Sequence, residues 1–546
     1  MFKQKYTEVV MSQSSSDEFS FQQDNSSDEK QDDVFNYLSG RRLHTITAGL
    51  MLAFFLVNLE ITIVGTALVS ITNDLKDFAR ASWVVTAYLI TYTAGLVIWA
   101  KLSDILGRKP ICITALLIFT VFSGGCGAAQ TMIQLIVLRA FQGVGASGIY
   151  ALTVVFIYEL VPVNKYPQYT AMTVVLLGVA FALGPIFGGL ISEFTTWRWV
   201  FLLNVPAGVL SAIVLYLTVP GDFPHQGLNK AKKRPNLSEI DFLGVFLMTA
   251  ALALTITGLE QAASTLTWTS AVTLGPLVAS GPVWVAFLFS QWYSSRGRPG
   301  SSIQPVFPWR FTKNRVLMAL FLNSLATGAV SITCNIELPI RYQTTLGVSP
   351  LQAGLRLLPL SVVGPLGAII TAIVCKNRRV PPVYAGLVGT FLQIIGLVFF
   401  TRSPPTNPGW SALYGFEVLV ALGFGTEICL VSLLTPFIAE KRDLAVATAV
   451  GIQCRIFGSA IVISITTAVG NGWVKNIIRD VVTTPQLRDI FRSTAYISTL
   501  PESAQYVVRS AFVEGFNLQM RIVLGFAVAS VFSIFLMWQK SQIRVE

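Results

Sequence analysis

Residues 45–71 read TITAGLMLAFFLVNLEITIVGTALVSI, with a single ionisable side chain, Glu60. A helix needs about 20 predominantly apolar residues to cross the hydrocarbon core of a bilayer, and this run is longer than that. The pattern recurs along the chain. Apolar runs lie near 82–100, 110–130, 132–158, 166–192, 199–219, 242–262, 270–293, 315–338, 350–375, 382–401, 411–438, 443–470 and 520–539, separated by short polar breaks. The prediction is an all-α polytopic membrane protein of about fourteen spans, and an even number places both termini on one side. Composition agrees: 53% of the 546 residues are hydrophobic and 12% charged, with mean hydropathy +0.63. Soluble domains carry about a quarter charged residues, so a single soluble core is excluded.

The charge of +11 is distributed as a topology signal. With the N-terminus cytoplasmic, the inner segments hold most of the basic residues, including Lys230, Lys232, Lys233, Arg234, Lys376, Arg378 and Arg379. The short outer loops hold Lys76, Arg80, Arg198, Arg341 and Arg402. A nucleic-acid partner would need the cations gathered on one accessible surface, so none is expected. Residues 1–44 are read as a disordered cytoplasmic tail, Ser-rich and acidic through Glu8, Asp17, Glu18, Asp24, Asp28, Glu29, Asp32 and Asp33. It lacks the apolar core of a signal peptide. The sequons at Asn25 and Asn236 fall in segments assigned to the cytoplasm, and residues 541–546 form the other cytoplasmic end. A long outer loop is expected at about 471–519. Within it Val507, Val508, Ala511, Phe512 and Gly515 have helical spacing, read as a helix on the membrane surface or a loop packed over the outer mouth.

Chemistry concentrates in a few motifs. The first span holds Glu60 on a stripe with Ala53 and Ala67, while Asn58, Thr62, Gly65 and Thr66 form a separate polar face turned to a cavity. Glu60 is read either as a proton carrier or as a buried acid permanently paired with an arginine. In the fourth span Arg139, Gln142, Gly143 and Ala146 share one helix face. An arginine inside a span costs about 2.5–3.5 kcal/mol unless it faces a partner or water, so Arg139 is read as tuning a neighbouring acid, with a purely structural ion pair as the alternative. After the second span, Asp104, Gly107, Arg108 and Lys109 place an acid, a turn glycine and a basic pair at the inner mouth. They form a latch that holds two helices in one conformation, or simply a positive-inside loop. In the fifth span Ala180, Gly184 and Gly188 repeat every four residues beside Pro185 and Gly189, a small-residue stripe that admits another helix closely. Glu337, Glu417 and Glu427 lie within other spans, Glu193 and Glu260 nearer span ends with access to water, and Arg455 is a candidate partner for one of these acids.

Several of these runs resemble a known family. Asp104-Ile105-Leu106-Gly107-Arg108-Lys109 is similar to the cytoplasmic loop signature of the major facilitator superfamily, with Ala100 and Ile105 departing from it. Leu138 to Ala146 is similar to its fourth-helix motif. Gly184-Pro185-Ile186-Phe187-Gly188-Gly189 resembles the antiporter motif of its drug exporters. Leu59 to Leu68 and Trp197 to Gly208 resemble the fourteen-helix drug:proton antiporters, in which an aspartate usually stands at the position of Glu60. Leu338 to Gln343, Ser349 to Gly354 and Leu357 to Pro359 look like the fungal members that export toxins and other secondary metabolites.

The resemblance covers residues 45–540 and implies a major facilitator fold. Six helices (45–219) form one bundle, two extra helices lie in 220–314, and six (315–540) form the other. It implies proton-coupled export of a hydrophobic or amphipathic small molecule, with alternating access from a site near the bilayer midplane. Glu60 and Arg139 would carry coupling, Asp104, Gly107, Arg108 and Lys109 would gate the inner side, and Asn58, Thr62, Gln142, Glu337 and Glu427 are candidates for the substrate cavity. An uptake carrier for a nutrient or siderophore and a non-transporting receptor on a transporter fold are the alternatives. The implied partners are cargo, protons and the lipid bilayer, at the plasma membrane or the vacuolar membrane. No cofactor is implied. There is no GxxxxGK[ST] loop for a nucleotide. The six scattered cysteines and the pair His44 and His225 suggest neither a metal site nor an enzyme's catalytic arrangement.

Overall fold

The computed structural model describes residues 38–162, 165–221, 223, 241–265, 268–296, 305–375, 380–404, 411–440 and 443–544. The tail through residue 37, His225, the sequons at Asn25 and Asn236, the basic run Lys230–Arg234, and Lys376, Arg378 and Arg379 lie outside these residues.

Among the described residues every regular element is helical, and fourteen helical segments are long and apolar enough to cross a membrane. The first bundle contains α1 (Gly40–Leu75), α2 (Ala81–Leu106), α3 (Arg108–Ala128), α4 (Met132–Leu160) and α5 (Tyr166–Phe194). Its sixth span is broken into α6 (Arg198–Leu202) and α7 (Asn204–Thr218). A hairpin of α8 (Phe242–Thr265) and α9 (Ala271–Ser295) follows, then the short α10 (Arg310–Lys313). The second bundle holds α11 (Arg315–Leu346), a span divided into α12 (Pro350–Arg356) and α13 (Leu358–Cys375), α14 (Pro382–Phe400), α15 (Leu413–Ile438) and α16 (Leu444–Ile478). It closes with α17 (Thr484–Arg492) and α18 (Glu502–Leu536).

Helix starts follow local chemistry. Thr131 caps α4 by accepting from Gln134 N, and Asn314 caps α11 by accepting from Val316 N and Leu317 N. Ser349 caps α12 ahead of Pro350, whose missing N–H costs nothing in a first turn. Between the bundles α1 lies against α11, α2 against α16, and α5 against α12 and α13. The α8–α9 hairpin is not peripheral: α8 packs on both α2 and α16. Its Glu260 is buried and accepts from Ser82 Oγ (2.7 Å) in one bundle and Ser464 Oγ (2.5 Å) in the other. The expectation that Glu260 reaches water is therefore corrected.

Four helix boundaries also differ from the reading of apolar runs. Gly40 to His44, assigned to the tail, open α1. Helix α11 runs through Pro339 to Leu346. The 471–519 stretch is mostly helix, as α16 continues to Ile478 and α18 begins at Glu502. Val508, Ala511, Phe512 and Gly515 are buried within the protein rather than lying on a membrane surface, with Gly515 against Val474 of α16. Apolar runs mark where a helix crosses lipid, whereas a helix continues wherever its backbone bonds and one packed face are maintained. The intervening segment sits on the end of α1, where Ser493 Oγ donates to Asn73 Oδ1 at 2.8 Å.

Candidate functional site

Glu60 of α1 and Arg139 of α4 meet inside the first bundle, each about 1% exposed. Arg139 Nη1 donates to Glu60 Oε1 at 2.6 Å and to Gln142 Oε1 at 2.8 Å, and Arg139 Nε donates to Val84 O at 2.9 Å. Asn204, the first residue of α7, donates its Nδ2 to Glu60 Oε2 at 2.6 Å. Gln142 Nε2 passes the network on to Ser123 Oγ at 2.7 Å. The guanidinium lies 4.2 Å from the centre of the Tyr88 ring, a cation–π contact strengthened by the burial of both groups. One ion pair therefore ties α1 to α4, and its satellites recruit α2, α3 and α7. Arg139 and Glu60 were the acid and cation expected from the motifs. Asn204 and Ser123 were not singled out, although a lone amide in the apolar run 199–219 is a usable signal.

The fifth-helix motif packs in two directions. A Cβ at Gly184 would fall on Thr62 Oγ1, and one at Gly188 would strike Ile63 O and Thr66 Oγ1. Glycine at these positions is what lets α1 and α5 touch backbone to side chain. On the other side a Cβ at Gly189 would lie 2.6 Å from Leu351 Cα, while Pro185 O abuts Gly354. Leu351 N also donates to Glu193 Oε2 at 3.2 Å. The bundles are thus closely joined at the end where α5 finishes and α12 starts.

The motif between α2 and α3 lies at the opposite end. Gly107 makes the turn at φ +101°, a conformation that L side chains rarely adopt. Arg108 Nη2 contacts Asp104 Oδ1 at 2.5 Å and Glu159 Oε1 at 2.6 Å, and Arg108 Nε reaches Glu159 Oε2 at 2.9 Å. Lys109 Nζ donates to Val219 O at 2.8 Å. This ion-pair cluster joins α2, α3 and α4 within one bundle. Glu159, its strongest partner, went unnoticed in the sequence because it sits at a span end, where acids are common.

Between the bundles, reaching toward the Asp104 end, is a cavity of about 210 Å³. Its wall includes Phe54, Tyr150, Phe181, Thr327, Phe424 and Arg455. None of the five residues proposed for a substrate cavity lines it. Asn58 Nδ2 donates to Phe54 O of its own helix at 2.7 Å, and Thr62 is packed against Gly184. Gln142 belongs to the Arg139 network. Glu427 stands behind the wall, accepting from Thr327 Oγ1 (2.6 Å), Thr390 Oγ1 (2.6 Å) and Ser530 Oγ (3.0 Å). Glu337 lies nearer the closed end and accepts from Thr466 Oγ1 at 3.3 Å. The reason is general: buried polar groups bond nearby backbone and hydroxyls first, so a polar face on a helical wheel need not face a cavity. Arg455 pairs with none of these acids among the described residues and lines the cavity instead.

The Major Facilitator Superfamily model matches residues 50–463. The MFS-type transporter FPY5 of Fusarium mangiferae is 37% identical over 508 residues, covering 92% of this chain and 85% of that protein. The MFS-type efflux pump LUC4 of a Fusarium sp. is 29% identical over 506 residues, with coverage of 92% and 85%. Among solved structures, an inward-facing, unoccupied bacterial homolog of the human lysosomal transporter Spinster superposes with a TM-score of 0.65 at 16% identity, covering 92% of this chain and all of that one. These matches run through both bundles and the hairpin between them, and the chain belongs to the major facilitator superfamily, as an integral membrane protein of transporter fold.

Proposed function

We propose that the chain exports a hydrophobic or amphipathic small molecule, of the toxin or secondary-metabolite kind, in exchange for protons. The observation that carries this reading is the buried Glu60–Arg139 pair. An acid buried in the bundle and held by an arginine and an amide can change helix packing when it gains or loses a proton. Glu60 then carries the proton, and Arg139 senses its charge. The Asp104–Arg108–Glu159 cluster gates the inner end, and the glycine face of α5 closes the outer end. The name of the Fusarium efflux pump supports the outward direction. Both termini are placed in the cytoplasm, and the plasma membrane is the proposed site.

The energetics suffice without a nucleotide. One proton moving through 100 mV releases about 2.3 kcal/mol, and one pH unit adds about 1.4 kcal/mol. Together these support roughly a 500-fold gradient of a neutral cargo. The test is efflux of a hydrophobic dye panel from energised cells, with and without a protonophore, for the native chain, Glu60→Asp and Glu60→Gln at matched surface levels. Protonophore-sensitive efflux retained by Glu60→Asp and lost in Glu60→Gln is expected. Unchanged proton-dependent efflux in Glu60→Gln would overturn the assignment of Glu60.

A further inference from the structure

Arg455 and Arg341, both in membrane-spanning helices, have no acid bonded to them among the described residues, and each lines a cavity between the bundles. Arg455 of α16 is the one charged side chain among the residues lining the 210 Å³ cavity. Two acids within spans of its own bundle are engaged elsewhere: Glu427 accepts from three hydroxyls, and Glu417 accepts from Tyr342. Arg341 of α11 is 2% exposed, and its Nε, Nη1 and Nη2 find no hydrogen-bond partner. Its guanidinium lies over the Phe516 ring at 4.8 Å. It lines a smaller cavity of about 50 Å³ bounded by α1, α2, α11, α16 and α18. Glu337, one turn earlier on α11, shares that cavity but makes no ion pair with Arg341 among the described residues.

The two cavities share walls although no residue lines both. Helices α11 and α16 wall both of them. Thr327 and Arg455 lie in the first, and Arg341 and Val474 in the second. A guanidinium held in a span without a counter-charge is costly, and it presents a planar fork that suits a carboxylate. The wall around Arg455 is otherwise mainly aliphatic side chains with aromatic rings and a few hydroxyls, which suits the body of an amphipathic molecule.

We propose that the cargo is an amphipathic organic anion, carrying a carboxylate or an acidic enol, received by Arg455 in the open cavity and met by Arg341 as the path opens toward the other end. This rests on the reading of the 210 Å³ cavity as the cargo site.

The experiment titrates dansyl-aminoundecanoate and its methyl ester into the purified full chain in nanodiscs, following dansyl fluorescence. The acid should bind about tenfold or more tightly than the ester, as a charge-assisted hydrogen bond implies. Arg455→Gln should remove that preference while leaving ester binding unchanged, which also reports that the variant is folded. Arg455→Lys should keep part of the preference. Arg341→Gln should leave acid binding intact and slow transport of the acid in proteoliposomes more than that of the ester. Ser324→Trp, which fills the cavity, should block both probes. Equal binding of acid and ester, or a preference that survives Arg455→Gln, overturns the anion proposal and leaves the cavity reading standing. Binding of both probes unaffected by Ser324→Trp, or no binding of either, overturns the cavity reading and the proposal with it.

Discussion

Replacing Glu60 by glutamine is the sharpest perturbation of the buried network, because its consequences are set by geometry. Glu60 uses both oxygens as acceptors: Oε1 from Arg139 Nη1 and Oε2 from Asn204 Nδ2, each at 2.6 Å. Glutamine has one acceptor oxygen, so its NH₂ must face either the guanidinium, which only donates, or Asn204, which accepts only once its own amide is turned over. Either way the carboxylate charge is gone, and Arg139 keeps its own at about 1% exposure. Removing one partner of a buried pair costs about 3–5 kcal/mol. Because Arg139 retains Val84 O and Gln142 Oε1, we expect the lower end, about 3 kcal/mol. Arg139→Gln should cost less, since a lone carboxyl can be neutralised by a proton whereas a guanidinium cannot lose its own. The double variant leaves no unpaired charge and should recover part of the loss, a coupling that a double-mutant cycle measures directly. The assay is denaturant and thermal unfolding of purified protein in one detergent, for the four species side by side. The reasoning fails if Glu60→Gln is as stable as the native chain, or if the double variant is the least stable of the four.

Three further outcomes follow from contacts elsewhere. Gly188→Val should lose about 1–3 kcal/mol and all transport, because its side chain would meet Ile63 O and Thr66 Oγ1; Gly281→Ala, with open space around it, should be silent in the same stability and efflux assays. Glu260→Ala removes the bonds from Ser82 and Ser464, at about 1.5–3 kcal/mol for each hydrogen bond to a charged group; lowered thermal stability and faster proteolysis beside the α8–α9 hairpin are the readouts. Joining Glu193→Cys to Leu351→Cys with a short bis-methanethiosulfonate, which forms two reducible mixed disulfides, in a cysteine-free background should lock the end where Leu351 N meets Glu193. Efflux should stop and return on reduction, and efflux that persists in the cross-linked protein would argue that this end never opens.

The fourteen spans were legible because the bilayer demands long apolar runs, and this chain supplies them with few ambiguities. Helix ends were less so. Glu502 to Arg509 of α18 are too polar to register as a span, yet they extend the last helix beyond its apolar portion. The Glu60–Arg139 pair was foreseeable as an acid and a cation, each costly alone, in separate spans. Which residues complete it was not, since Asn204 and Ser123 reach it through tertiary geometry with no shared periodicity. The five candidate cavity residues stand off the 210 Å³ cavity for a related reason. Asn58 and Thr62 satisfy themselves locally or pack helices, whereas the wall is built from aromatics such as Phe54 and Phe424 that look like ordinary core in one dimension. Arg455 was read as a partner for an acid, because sequence alone cannot tell an arginine facing a carboxyl from one facing an opening.

The most direct test of the central claim uses purified chain reconstituted into liposomes loaded with a pH-sensitive dye, with cargo added on one side. The account predicts that cargo movement drives protons the opposite way in the native protein. It also predicts that Glu60→Gln loses this proton movement while still exchanging labelled for unlabelled cargo. Proton flux in Glu60→Gln equal to that of the native chain, with cargo exchange intact in both, would contradict it.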